Sequence, residues 1–139
     1  MEYVLEQTQL LDLDIVQLHG AEPVEWARLI PVPVIRSFKP GEIGVGACGY
    51  HAVPLLDSGI GGTGTRLDLG DVRKSLEKDG ELKVLLAGGL GPGNVGEVLK
   101  ELGSARGQVV GVDVSTGVEE DGEQSLEKIR DFVVEARKA

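Results

Sequence analysis

Two aspartates, Asp57 and Asp113, stand at or near the ends of short apolar runs. A carboxyl drawn partly out of water holds its proton more readily, which is what a general acid needs. Asp57 is read in that role in preference to the common loop-capping aspartate. For Asp113 two uses stay open: orienting a ligand hydroxyl, or holding Ser115. Gly88-Gly89 ends another apolar run and precedes a helical pattern opened by Gly91-Pro92. Small residues there let backbone N–H groups reach an anion, and a helix N-terminus adds a favourable field. Ser115-Thr116-Gly117 brings two hydroxyls and a further unobstructed backbone at the next turn. Either loop alone fits a tight turn with positive φ equally well. Two of them in successive units point to a phosphate site formed by the Gly88-Gly89 and Ser115-Thr116-Gly117 turns.

His19 follows Gln17-Leu18 and could donate to a ligand carboxylate or phosphate; standing alone, it reads as a loop hydrogen bond. Gly59-Ile60-Gly61-Gly62-Thr63-Gly64 fits G-x-G-x-x-G. The dinucleotide fingerprint requires those glycines to turn directly into a helix, with an acid about 20 residues on. Here Thr65-Arg66-Leu67-Asp68 delays the helix, and Gly88-Gly89 occupies the place of the acid. The segment is read instead as a glycine-rich active-site loop that folds over a ligand. No metal is expected, because two separated histidines and one cysteine have no ligand spacing. Ser115, His19 and Asp113 lack a nucleophile elbow, so no hydrolytic triad is read from them. His51 opens an apolar run at its N-terminal end and is given no role. Cys48 is read as a small packing residue.

The elements that must carry these turns are short. Residues 14–18, 33–37, 52–56, 83–87 and 109–114 are near-continuous apolar, β-branched runs, as in strands buried on both faces of a parallel sheet. Helical spacing appears over 1–11, 23–29, 69–78, 92–102 and 123–138, with Asp68 as an N-cap candidate. Residues 39–50, with four glycines and a proline, show no helical pattern. The alternation predicts one α/β domain, residues 1–139, built of parallel βα units.

Composition narrows the partners. The chain has 139 residues with 14 Lys+Arg against 23 Asp+Glu, a formal net charge of -9. That balance argues against nucleic acid and against an anionic membrane surface. Glycine is abundant, at 21 of 139 residues, without a triplet period. A single cysteine cannot form an internal disulfide, which suggests a reducing compartment such as the cytoplasm. The opening MEYVLEQTQLLDLD has no signal-peptide pattern and reads as the middle of a domain.

Taken in order, DIVQLHG (14–20), PVIRSF (33–38), PLLDSGIGGTG (54–64), LLAGGLGPGNV (85–95), GVDVSTGVEEDG (111–122) and KIRDFV (128–133) resemble the phosphoribosylanthranilate isomerase family, the (β/α)₈-barrel enzymes of tryptophan biosynthesis. The resemblance is collinear over nearly the whole chain. It implies an aldose–ketose isomerase performing an Amadori rearrangement without a cofactor. Asp57 would be the general acid, His19 and Asp113 would line the substrate pocket, and Gly88, Gly89, Ser115 and Gly117 would hold its phosphate.

The resemblance also implies what is missing. The family's base is a cysteine in a Lys-x-Cys-Gly motif at its first strand, and an arginine near its second strand holds the anthranilate carboxylate. Residues 14–18 align with the fourth strand, so the expectation is the C-terminal five-eighths of a (β/α)₈ TIM barrel, or an open, flavodoxin-like sheet if isolated. Such a unit would be inactive alone, and would either pair with a complementary N-terminal barrel fragment or self-associate through its edges. A non-catalytic phosphosugar-binding half-barrel or an assembly module is the alternative. Smaller departures are Leu69 where the family often has Trp, the extra glycines 91 and 93, and Gln124-Ser125 for a frequent Lys-Asp.

Overall fold

A computed structural model describes residues 1–46, 50–58 and 67–139. Cys48 and the glycine-rich segment 59–64 lie outside the described residues. All five apolar runs form strands: β1 (Val16–Leu18), β2 (Val34–Phe38), β3 (Val53–Leu56), β4 (Val84–Leu86) and β5 (Val109–Val112). They make one parallel sheet in the order β1-β2-β3-β4-β5. Each strand lies beside the next in the chain. A flavodoxin-like sheet reverses direction at a switch point, and this one does not, so the flavodoxin-like character is corrected; the sheet is nonetheless open, since β1 and β5 do not pair among the described residues. Right-handed crossovers that all step the same way stack their helices on one face, as in a barrel wall.

Register separates the two faces. Val16 pairs with Val34, Leu18 with Arg36, Phe38 with Leu56, and Leu56 with Leu86. Paired residues of a parallel ladder point the same way. Phe38, Leu56, Val84 and Leu86 pack with Val72 and Leu76 of α2 (Leu69–Glu77), Val95 and Leu99 of α3 (Val95–Glu101), and Phe132 of α4 (Leu126–Lys138). At the β1 edge, Val16, Leu18 and Val34 pack with Val4 and Leu5 of α1 (Glu2–Leu10) and with Trp26 of a 3-10 helix, Val24–Arg28. The opposite row includes Gln17, Ile35 and Val53, then Ser37, Leu55, Leu85 and Gly111. Leu55 is fully buried at mid-sheet, whereas Gln17 is exposed at the β1 end of the row.

The helix boundaries moved for local reasons. The expected helix 92–102 begins only at Val95, because glycines 91 and 93 disfavour helix and Asn94 is committed to the preceding loop. The expected helix 123–138 begins at Leu126, where the Ser125 hydroxyl accepts from the Lys128 N–H. Ahead of it, Glu119–Glu120 (β6) pairs antiparallel with Glu123–Gln124 (β7). Asp121 and Gly122 turn between them at φ 51° and 83°, as an Asp-Gly hairpin requires. Residues 23–29 yield a 3-10 helix, the last expected strand stops at Val112, and Asp68 caps α2 as expected.

His51 stands just before β3. Its ring packs on Phe38 with centroids 5.1 Å apart, and its Nε2 donates to the Val45 carbonyl at 3.1 Å. Burial, helped by the Arg36 charge and partly offset by the Val45 bond, holds its pKa below the ordinary value of 6.5. The unfolded chain therefore takes up a proton before the folded one does. The contribution of His51 to stability is complete above the unfolded value and is lost as pH falls through the lower folded value. Denaturant unfolding at about pH 7.5 and about pH 5.5 checks this linkage. The parent chain is expected to lose more stability between the two than His51→Phe does; equal losses would exclude His51 as the source.

Candidate functional site

His19 leaves the end of β1 and Asp57 the end of β3, with β2 between them. Their side chains meet across it: His19 Nε2 lies 2.8 Å from Asp57 Oδ2. Asp57 is only 5% exposed, and its backbone N–H extends the ladder by donating to the Phe38 carbonyl. The Ser58 hydroxyl donates to its other oxygen, Oδ1, at 3.2 Å. The His19 side chain is 42% exposed. A buried carboxyl is thus joined to water through an imidazole, an arrangement able to accept a proton from solvent and hand it inward.

Gly88 follows β4 at φ +96°. A Cβ there would stand 2.8 Å from Ser58 Oγ and 2.9 Å from Asp57 Oδ1, so its backbone packs directly on the carboxyl. Gly89 is also in the left-handed region, at φ +62°. Asn94 fixes this turn: its Oδ1 accepts from the Gly91 N–H and its Nδ2 donates to the Gly89 carbonyl, both at 2.8 Å. Beyond β5, a Cβ on Gly117 would overlap the Leu90 carbonyl oxygen and lie 3.1 Å from Gly91 Cα. Turns 88–91 and 115–117 are therefore in contact. Among the described residues, the N–H groups of Gly88, Gly89, Ser115 and Gly117 have no hydrogen-bond partner. Unpaired amides converging from two touching turns can receive an anion.

Asp113 is exposed. Its N–H donates to the Leu86 carbonyl, and no hydrogen bond joins its carboxylate to Ser115 among the described residues. His19, Asp57, Gly88, Gly89, Ser115 and Gly117 thus all lie at the C-terminal ends of the strands, where α/β folds gather their chemistry.

Sequence reasoning missed Asn94 and Arg36. Asn94 ahead of an apolar run signals an N-cap, but here its side chain serves the loop. Arg36 stands mid-run in β2 and is 7% exposed. Its guanidinium reaches the β1 turn, contacting Glu22 Oε2 and the Gly20 carbonyl at 3.0 Å each and the Glu22 carbonyl at 2.7 Å. Burial opposes ionisation of Glu22, but the backbone N–H groups at Glu22 and Gly20 and the Arg36 charge outweigh it and hold the carboxyl below its usual value. A charged residue inside an apolar run is the signal that could have found Arg36. Beside the pair, a cleft of about 410 Å³ is lined by His19, Gly20, Arg36, Ser37, Phe38 and Lys39.

Comparison with known proteins gives this geometry a context. The model of a family described as N-(5'phosphoribosyl)anthranilate (PRA) isomerase matches residues 1–135. N-(5'-phosphoribosyl)anthranilate isomerase of Lipomyces starkeyi is 46% identical over 129 residues, covering 92% of this chain and 51% of that protein. The chain therefore spans about half the length of that relative. The crystal structure of phosphoribosyl anthranilate isomerase from Thermus thermophilus superposes with a TM-score of 0.78 at 33% identity, covering 99% of this chain and 67% of that one. A further isomerase, solved in complex with reduced 1-(o-carboxyphenylamino)-1-deoxyribulose 5-phosphate, superposes with a TM-score of 0.74 at 26% identity, over 99% and 66% of the two chains.

Proposed function

The chain belongs to the N-(5'-phosphoribosyl)anthranilate isomerase family, and from that membership we propose that it serves an Amadori rearrangement with Asp57 as general acid. Residues 1–139 act as one unit, supplying five of the eight βα units of a TIM barrel, and a further segment completes it. Protonation of the ribose ring oxygen by Asp57 breaks its bond to C1 and opens the ring to an iminium. A base then removes the C2 proton, and the resulting enolamine settles as the ketone. In the family that base is a cysteine of the first strand, so the completing segment supplies it. Each step is a proton transfer or a bond cleavage assisted by one, and none calls for a cofactor. His19 returns a proton from solvent to Asp57, and Asp113 holds a sugar hydroxyl. The N–H groups of Gly88, Gly89, Ser115 and Gly117 take the phosphate.

The observation that supports this reading is the contact between Gly88 and the Asp57 carboxyl. It sets the acid beside the turn whose amides, unpaired among the described residues, are those proposed to take the phosphate, a separation that suits a short phosphosugar. The test is turnover by the purified chain, followed through loss of the substrate's anthranilate fluorescence. It is run alone and with a polypeptide carrying the first three βα units. Turnover only in the mixture is the expected result. Turnover by the chain alone would overturn the assignment of the base to another segment. Silence in both, with inorganic phosphate still protecting the Gly88 and Ser115 amides, would favour a non-catalytic phosphosugar-binding module.

A further inference from the structure

We infer that Arg36, together with Glu22, is a positioning pair that sets the His19 imidazole against Asp57; the functional meaning of that pair rests on the acid role proposed above. Among the described residues, His19 has one hydrogen-bond partner, Asp57 Oδ2. Among the described residues no partner bonds the ring at Nδ1, where a histidine with a defined tautomer is commonly anchored. The direction of the ring must therefore come from its backbone, and that backbone runs into Gly20, a residue with wide conformational freedom.

Arg36 removes that freedom. It shares the helix-side face of the sheet with Leu18, its register partner, and its guanidinium passes around the end of β1. One terminal nitrogen donates to the Leu18 carbonyl at 3.4 Å and the Gly20 carbonyl at 3.0 Å, the two residues that flank His19. The other donates to the Glu22 carbonyl at 2.7 Å. Glu22 Oε2 closes the ring, accepting from Arg36 at 3.0 Å and from the Gly20 N–H at 2.9 Å. The polar groups on both sides of His19 thus end on one planar fork. A lysine, with a single ammonium centre, cannot span them. The fork carries this set at a cost, because its buried Nε has no partner among the described residues.

The test reads the imidazole of His19 by ¹⁵N NMR in the full chain, as a double-mutant cycle. In the parent background, Asp57→Asn is expected to displace the His19 ring resonances. In Arg36→Met the same change is expected to leave them unmoved, while the amide spectrum of β3 to β5 stays native. Arg36→Lys, which keeps the charge and loses the fork, should not restore the response. An equal displacement in both backgrounds would overturn the inference. So would a parent in which Asp57→Asn moves nothing, since there would then be no pair to position. Should Arg36→Met fail to fold, Glu22→Ala at the partly exposed end of the clamp carries the same test by the same criteria. The readout needs no turnover. A chain that shows this coupling and never isomerises substrate retires the proposed reaction and leaves the clamp standing.

Discussion

Asp57→Asn is expected to lower turnover of the completed enzyme by roughly two to four orders of magnitude, the usual range for removing a general acid. The substitution keeps the size of the side chain and an oxygen for His19 Nε2 at the 2.8 Å contact. It also keeps an acceptor for the Ser58 hydroxyl. What it removes is the proton given to the ring oxygen. Because that transfer belongs to the transition state, kcat and kcat/KM should fall together while KM holds. Phosphate should still bind, since its proposed donors are backbone amides of other residues. Steady-state kinetics with a parallel phosphate titration checks both halves. Turnover within about tenfold of the parent would remove Asp57 from the acid role.

Gly117→Ala should be the most damaging small substitution at the phosphate turns. A Cβ there would overlap the Leu90 carbonyl oxygen, and the neighbouring atoms, Leu90 C at 2.9 Å and Gly91 Cα at 3.1 Å, are backbone. Backbone cannot swing aside as a long side chain does, so the two turns must part. Overpacking of this kind costs about 1–3 kcal/mol, and the upper end is expected here. Parting the turns also separates the amides of Gly88 and Gly89 from those of Ser115 and Gly117. Inorganic phosphate affinity should therefore fall by about tenfold or more, equivalent to the loss of one good charge-assisted hydrogen bond. Gly93→Ala is the control, since no atom lies within 4 Å of its Cβ position and it is expected to fold and bind normally. Denaturant unfolding and phosphate titration of both variants give the answer. A Gly117→Ala chain as stable as the parent and equally able to bind phosphate would mean that the contact is not needed.

The five strands and the α/β class were legible in the chain because their signals are local. Four to six apolar residues between glycine-rich turns leave few alternatives to a buried strand. Asp68 ahead of α2 is likewise read within one helical turn. Ser125 ahead of α4 was not, its signal obscured by the Glu119–Gln124 hairpin. The Asp121-Gly122 pair announces that hairpin, and the helical spacing after it drew the helix boundary too early. Gly88 and Gly89 could be named as candidates because an unobstructed backbone after a strand is a property of glycine itself, and Ser115 because its hydroxyl is a property of serine.

Other features had no local signal. His19 and Asp57 are 38 residues apart and meet only because the consecutive strand order leaves a single strand between them. His19 on its own reads as an ordinary loop histidine, and the fold is what gives it a carboxyl partner. Arg36 in PVIRS looks like a polar interruption of a strand. Its service to the β1 turn depends on the register that sets it beside Leu18. Gly117 must be glycine because of Leu90, which belongs to the preceding βα unit. Propensity and spacing act over a few residues, so the chain alone announces its strands, its caps and its free-backbone turns. Which side chains share a hydrogen bond, which guanidinium holds which turn, and which glycine has no room for a methyl group follow from strand order and register, which exist only once the strands have come together in the sheet.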